Sequence, residues 1–342
     1  MAHEWTDSLI DELLLQMDPS ADAVAAAVLE SGRLDAINAL MRTLTHNLEP
    51  VPEELPEPVR AYFEDTDDLP EWAEPAKIEA GETLFVRYGV PAMQSLLYRS
   101  LPECYAGADG ADVLHRTGRL DVLTRQRVLE TVHFTVDVMS PGGLGPEGRG
   151  VRSAQRVRLL HAAIRTHLLE GDNWALPNRS PINQLEMIGT LGGFSILVLD
   201  TMRRFGVDLS KDECDAYIHC WNVVGYIMGV REDLLFHDLE DGLALWERIR
   251  EVEHPPSLAG EELTAALLAF ANGSSPGDCL TASTRPCCAS RAGTRSPTPW
   301  ACRRRTGRGS SSVVIADWSA SPTGSRISGP CPPGSPHGLG TG

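Results

Sequence analysis

The segment RSAQRVRLLHAAIRTHLLEG, residues 152–171, sets a histidine where chemistry is possible. At 100° per residue, Val157, Leu160, Ile164 and Leu168 form one apolar stripe, and His161 lies about 40° from Val157 beside it. Arg158 and Arg165, at i−3 and i+4 from His161, ride on the same flank. An imidazole in dry surroundings is what an axial haem ligand requires, and guanidinium groups alongside can pair with propionates or polarise bound oxygen. A core histidine bonded to a carbonyl between two surface arginines has the same spacing, and on spacing alone that plainer reading is the commoner one.

The preceding segment, RQRVLETVHFTVDVM at 125–139, has a similar character. Arg127, Glu130, Thr131, Phe134 and Val138 share one helical face. An arginine, a carboxylate and a hydroxyl on a core-facing stripe are costly unless paired. They read either as donors and a base around a reacting centre, or as a structural ion cluster closed among themselves or with Arg158 or Arg165. Glu130–His133 and Glu251–His254 are E-x-x-H pairs of the kind that build di-iron sites in helix bundles, a weak signal among ten histidines. Gly189, Gly192 and Gly193 lie within one helical stretch, where each costs roughly 1 kcal/mol relative to Ala. Close helix packing or a flat ligand against the backbone would compensate, packing being the commoner cause. Neither a G-x-S-x-G elbow, nor a P-loop, nor a dinucleotide glycine fingerprint is present.

The elements that must position these residues read as helices. Apolar residues recur at three-and-four spacing over 7–17, 20–30 and 33–47, and 48–75 is a proline-rich connection around a short helix. Further helices are predicted at 76–103 with a break near Gly89-Val90-Pro91, and at 121–139, 151–169, 181–205, 211–229, 239–252 and 259–271. Ser180-Pro181 reads as an N-cap followed by proline at the first helical position, and Gly171 as a C-terminal stop. The expected fold class is all-α, a multi-helix bundle around a single core.

The net charge of −17 argues against a nucleic-acid partner or docking on anionic lipid. No run approaching eighteen uninterrupted apolar residues stands out as a membrane span. The first sixteen residues lack the basic and apolar regions of a signal peptide, so a cytoplasmic location is expected. Residues 273–342 differ from the body. They hold five of the eight cysteines, and their charged residues are eight Arg and two Asp. Such composition suits a disordered tail, but the cysteines and two tryptophans suit a reading-frame slip better. With G/C-ending codons read from the third base, residues 279–306 become PDGLHAALLREPGGDPVADAVGVPPPH, an amphipathic pattern followed by a turn. Residues 1–272 are therefore expected to form the working domain and 273–342 to carry no function.

Taken in order, SLPECYAGADGADVLHRTGRL, R-x-x-E-T at 127–131, RGVRSAQRVRLLHAAIR, SPINQLEMIGTLGGFS and DAYIHCWNVVGYIMGVREDLL resemble the catalytic domain of the oxygenase MpaB and rubber oxygenase (latex-clearing protein) family. The resemblance is strongest over 69–235, and the shifted string GDPVADAVGVP resembles a C-terminal segment of the same family. It implies haem b, dioxygen as co-substrate and cleavage of carbon–carbon double bonds in isoprenoid chains. Residue by residue, His161 in R-x-x-H-x-x-x-R is similar to the proximal haem ligand; Arg158 and Arg165 are the cofactor-binding candidates by their spacing beside it. Arg127 and Thr131 match the distal Arg and Thr. Glu130 stands where latex-clearing enzymes have a lysine, so a lysine-capped resting state is not implied and Glu130 becomes the candidate base. The reading is a haem b oxygenase acting on a small apolar isoprenoid or terpenoid-like molecule. Its rivals are a non-catalytic haem sensor, a metal-free helical interaction module and a di-iron enzyme.

Overall fold

A computed structural model describes residues 3–107, 110–111, 113, 120–170, 174, 176, 178–253 and 257–273. Among these residues every regular element is helical, as the apolar periodicity requires. Asp18 caps the helix predicted at 20–30, its carboxylate accepting from the N–H of Ala21 with Pro19 at the first turn. The chain opens with α1 (Asp7–Leu13), α2 (Pro19–Glu30), α3 (Leu34–Met41) and α4 (Glu57–Asp65). Val24, Val28, Ile37, Met41, Val59 and Phe63 from three of these helices make a satellite core.

The predicted helix at 76–103 is four pieces: α5 (Pro75–Arg87), α6 (Gly89–Ser95), a π-helical turn (Leu96–Ser100) and α7 (Leu101–Ala106). The π-turn leads straight into Pro102, which has no N–H for a normal α-helical bond and whose ring crowds the carbonyl four residues back. Helices α8 (Leu120–Met139) and α9 (Gly150–Leu169) follow. The predicted helix 181–205 divides at Ser195 into α10 (Gln184–Phe194) and α11 (Ile196–Arg204). Its start is not at Ser180-Pro181: Asn183 is the cap, in a reciprocal capping box with Glu186. The chain then forms α12 (Lys211–Ile227), α13 (Leu239–Glu253) and α14 (Leu258–Gly273). Gly171 and the tail beyond 273 lie outside the described residues.

The large core gathers side chains from α1 and from α5 through α13, with Trp221, Trp246 and Tyr217 fully buried. Helices α5 and α12 make the most extensive pairing. Gly81 permits it, since a Cβ there would stand 2.7 Å from the Ala216 carbonyl oxygen. The expected single core is thus one dominant cluster with two satellites. The stretch Gln184–Arg204 is long and apolar enough to cross a membrane by length and composition, a candidate that counting uninterrupted apolar runs passed over. In the fold 78% of its window is buried inside the protein.

Candidate active site

Helices α8 and α9 are antiparallel neighbours joined by a glycine-rich turn. Gly142 takes φ +73°, and its N–H donates to the Glu82 carboxylate at 2.8 Å. The Asn47 amide donates to the carbonyls of Gly143 and Gly145 at 2.9 and 2.7 Å. Beyond the turn, Ser153 Oγ donates to Asp137 at 2.9 Å. His161 lies eight residues further along α9 from that contact.

Each of the two helices carries a half-buried stripe. On α9 it is Val157, Leu160, His161 and Ile164; on α8 it is Arg127, Glu130, Thr131 and Phe134. Both follow the i, i+3, i+4, i+7 spacing of one helical face. This corrects the expected core stripe of α9: only Leu168 of the four is buried, while Leu159, Ala162 and residues 151–156 are. The reason is that α9 packs against α2, α8 and α12 together, so its deepest residues are not confined to one arc.

His161 Nδ1 is buried and has no hydrogen-bond partner. Burial, helped by the Arg165 charge and opposed by Asp18, holds the imidazole down to about 4. The ring is therefore neutral near pH 7, the form that ligates a metal. Those properties fit an axial ligand.

Arg158 and Arg165 are engaged elsewhere. Arg158 clamps Asp18 through Nε at 2.7 Å and Nη2 at 2.9 Å, and also donates to Ser20. Arg165, 1% exposed, donates from Nε to Asp22 at 2.6 Å, and from Nη1 to the carbonyl of Ile182 at 3.3 Å. Neither is the surface arginine of the plainer reading; the two close a quartet with Asp18 and Asp22, in which Asp18 and Arg165 are buried and Arg158 and Asp22 partly so. Burial pushes the Asp18 carboxyl up, but the Arg158 bonds and charge outweigh it and hold it below the ordinary range. Burial wins at Asp22, whose carboxyl is raised despite Arg165. Backbone geometry is spent here as well. Gly229 adopts φ +87°, and a Cβ there would lie 2.4 Å from Asp18 Oδ2 and 2.7 Å from Arg158 Nε. Ile182, a β-branched residue, is held at φ +50°. A guanidinium already bonded to a carboxylate is a poor partner for a propionate, so these arginines suit the anchoring of α9.

On α8, burial draws the Arg127 guanidinium below its ordinary value, against the opposing influence of Tyr105 and Glu130. Glu130 accepts from the Gln126 amide at 2.7 Å. Tyr105 is buried on α7 and its phenol is pushed up to about 12, chiefly by burial. Phe134, on the same stripe, meets Phe194 edge-on at 6.1 Å, and Phe194 stacks on Trp221 at 4.9 Å. The α8 stripe thus passes from charge and hydroxyl to an aromatic wall.

The three α10 glycines have packing partners. A Cβ on Gly189 would meet Ile249, one on Gly192 the Trp246 indole at 2.6 Å, and one on Gly193 the Cys104 sulfur at 3.3 Å. Of the E-x-x-H pairs, His133 is exposed and His254 lies outside the described residues. Asp18, Asp22, Tyr105 and the aromatic wall are the participants that sequence reasoning missed. Only Asp18 carried a signal, as the acid preceding Pro19 at a helix start.

A sequence profile described as ER-bound oxygenase mpaB/B′/rubber oxygenase, catalytic domain, matches residues 86–308. Rubber oxygenase of Streptomyces sp. (strain K30) is 26% identical over 266 residues, which cover 73% of this chain and 62% of that protein. A solved structure of Latex Clearing Protein in the closed state has a similar fold, with a TM-score of 0.69 at 24% identity over 75% of this chain and 69% of that one. With well over half of its length matched by the profile, the chain belongs to the mpaB and rubber oxygenase catalytic-domain family.

Proposed function

We propose that this protein is a haem b-dependent oxygenase that uses dioxygen on a small apolar isoprenoid- or terpenoid-like substrate. The observation that carries the reading is the buried, unpartnered imidazole nitrogen of His161 on α9, a helix packed against the α8 that bears Arg127, Glu130 and Thr131. His161 would hold the haem iron, and the cofactor when bound would supply the activation of dioxygen.

The remaining work belongs to the chain's own groups. Arg127 and Thr131 are donors on the α8 stripe, suited to stabilising negative charge as it develops on oxygen in a site shielded from water. Glu130 is the carboxylate on that stripe and the candidate proton acceptor. Phe134 and Phe194 offer aromatic surface to an apolar substrate. Arg158, Arg165, Asp18 and Asp22 keep α9 in register so that the imidazole is presented in one orientation. Family membership supports an oxygenase in particular, and Glu130 in place of the latex-clearing lysine supports a substrate other than polyisoprene.

The test is an absorption spectrum of protein produced with adequate haem, followed by oxygen uptake with a terpenoid alkene. A Soret band and alkene-dependent oxygen consumption are expected. A Soret band without uptake across a panel of such alkenes would leave a haem-binding protein and sink the oxygenase. A colourless protein after haem reconstitution would remove the cofactor as well.

A further inference from the structure

Away from the α8–α9 pair, His3, His237 and Asp241 bring three ligand atoms within 4.8 Å of one another, one per side chain. Among the described residues they form the one gathering of three or more metal-ligand types at such separations. We propose that His3, His237 and Asp241 bind a divalent transition-metal ion of the zinc type, which clasps the segment before α1 to the start of α13.

The surroundings are those of a built coordination site. The Asp241 side chain is wholly buried, and its two oxygens are fixed by the N–H groups of His3 and His237, each at 3.0 Å. His3 points Nδ1 at Asp241 Oδ2, 2.7 Å away, and its Nε2 lies 2.8 Å from the Asp233 carbonyl. A metal-binding histidine commonly uses one ring nitrogen for the ion and donates the other to a backbone carbonyl, which fixes the tautomer and aim. The His237 ring stacks on that of His3, with centroids 4.6 Å apart and planes at 20°. The Trp5 ring also packs on His3, with centroids 4.7 Å apart. The exposed His237 leaves a route by which an ion can enter from solvent.

Two imidazoles and one carboxylate select zinc, nickel, cobalt or copper over magnesium or calcium, which prefer all-oxygen shells. Zinc bonds of roughly 2.0–2.2 Å place ligand atoms roughly 3–4 Å apart, so closure on an ion needs a movement on the order of 1 Å and a turn of the exposed His237 ring out of its stack on His3, which brings both in-plane lone pairs onto the ion. The fourth position is left to water. The ion would displace the hydrogen between His3 and Asp241 and tie residues that lie more than 230 positions apart in sequence.

Calorimetric titration of the full-length protein with Zn²⁺, after chelator treatment and dialysis, tests this. One equivalent should bind and raise the thermal midpoint, and His3→Gln and His237→Gln should each abolish that equivalent. His237→Gln is the decisive variant, because the exposed ring can be replaced without disturbing the fold. No saturable equivalent in the parent protein, or one retained in His237→Gln, would overturn the site; retention is also the result expected if cysteines were the ligands.

Discussion

Replacing His161 with Ala should abolish the Soret band or shift it markedly, because no other described histidine combines a buried, unpartnered ring nitrogen with this position on the α9 stripe. Arg127→Ala and Thr131→Ala should keep haem content but lower turnover by on the order of 10²-fold, the usual loss for one preorganised donor. If both variants unfold with haem supplied, the structural ion-cluster reading of α8 holds instead. Arg158→Gln should act on folding first. It strands the buried Asp18 carboxylate, a change that typically costs about 3–5 kcal/mol. Denaturant titration should show that loss, and adding Asp18→Asn should recover a large part of it. The spacing of His161, Arg158 and Arg165 was legible because residue type and helical period are local properties. Their partners were not, since Asp18 and Arg158 are 140 positions apart and nothing in either segment announces the other.

The α10 glycines and the start of α5 each carry a test at the scale of elements. In Gly192→Ala the new methyl would stand 2.6 Å from the rigid indole of Trp246, and overpacking of that kind costs about 1–3 kcal/mol. Gly189→Ala meets only the flexible Ile249 Cδ1 at 2.9 Å, and a gain in helix propensity of about 1 kcal/mol offsets the crowding. Melting temperatures should therefore separate the two variants, with Gly192→Ala much the lower. At α5, the N–H of its cap residue Glu74 donates to His219 Nε2 at 2.9 Å, which requires an unprotonated nitrogen. Burial and Lys77 lower the His219 pKa from its ordinary 6.5, with Glu74 opposing. As pH falls through 6.5 the unfolded chain takes up this proton before the folded one, so stability present above that pH is lost on acidification. His219→Gln keeps an acceptor that does not titrate, and its urea midpoint should decline less than the parent's between pH 7 and 5. Helix positions were largely legible, whereas the divisions at Leu96–Ser100 and Ser195 were not. A π-turn and a mid-helix break leave the apolar periodicity of their flanks unchanged.

For the molecule as a whole, α14 is the last described element, and Leu263 and Leu267 join Tyr105 and Val128 in a satellite core over α7 and α8. A chain ended at residue 273 should keep the parent's thermal midpoint and Soret band if residues 274–342 contribute nothing. A fall in either would show that they do, and would count against the frame-slip reading. Restoring the shifted frame should raise the midpoint. The Asp18–Arg158 pair lies against Gly229, and Arg158 also donates to the Ile227 carbonyl at 3.3 Å. That arrangement sets a timetable for synthesis. At typical ribosomal speeds, roughly 10–40 s separate the making of Asp18 from that of Gly229. Through that interval the Asp18–Arg158 pair lacks the backbone of Ile227 and Gly229 that closes over it. Closure around the imidazole is a late event in biosynthesis, and the open nascent chain is the stage at which a bulky flat cofactor meets the least obstruction.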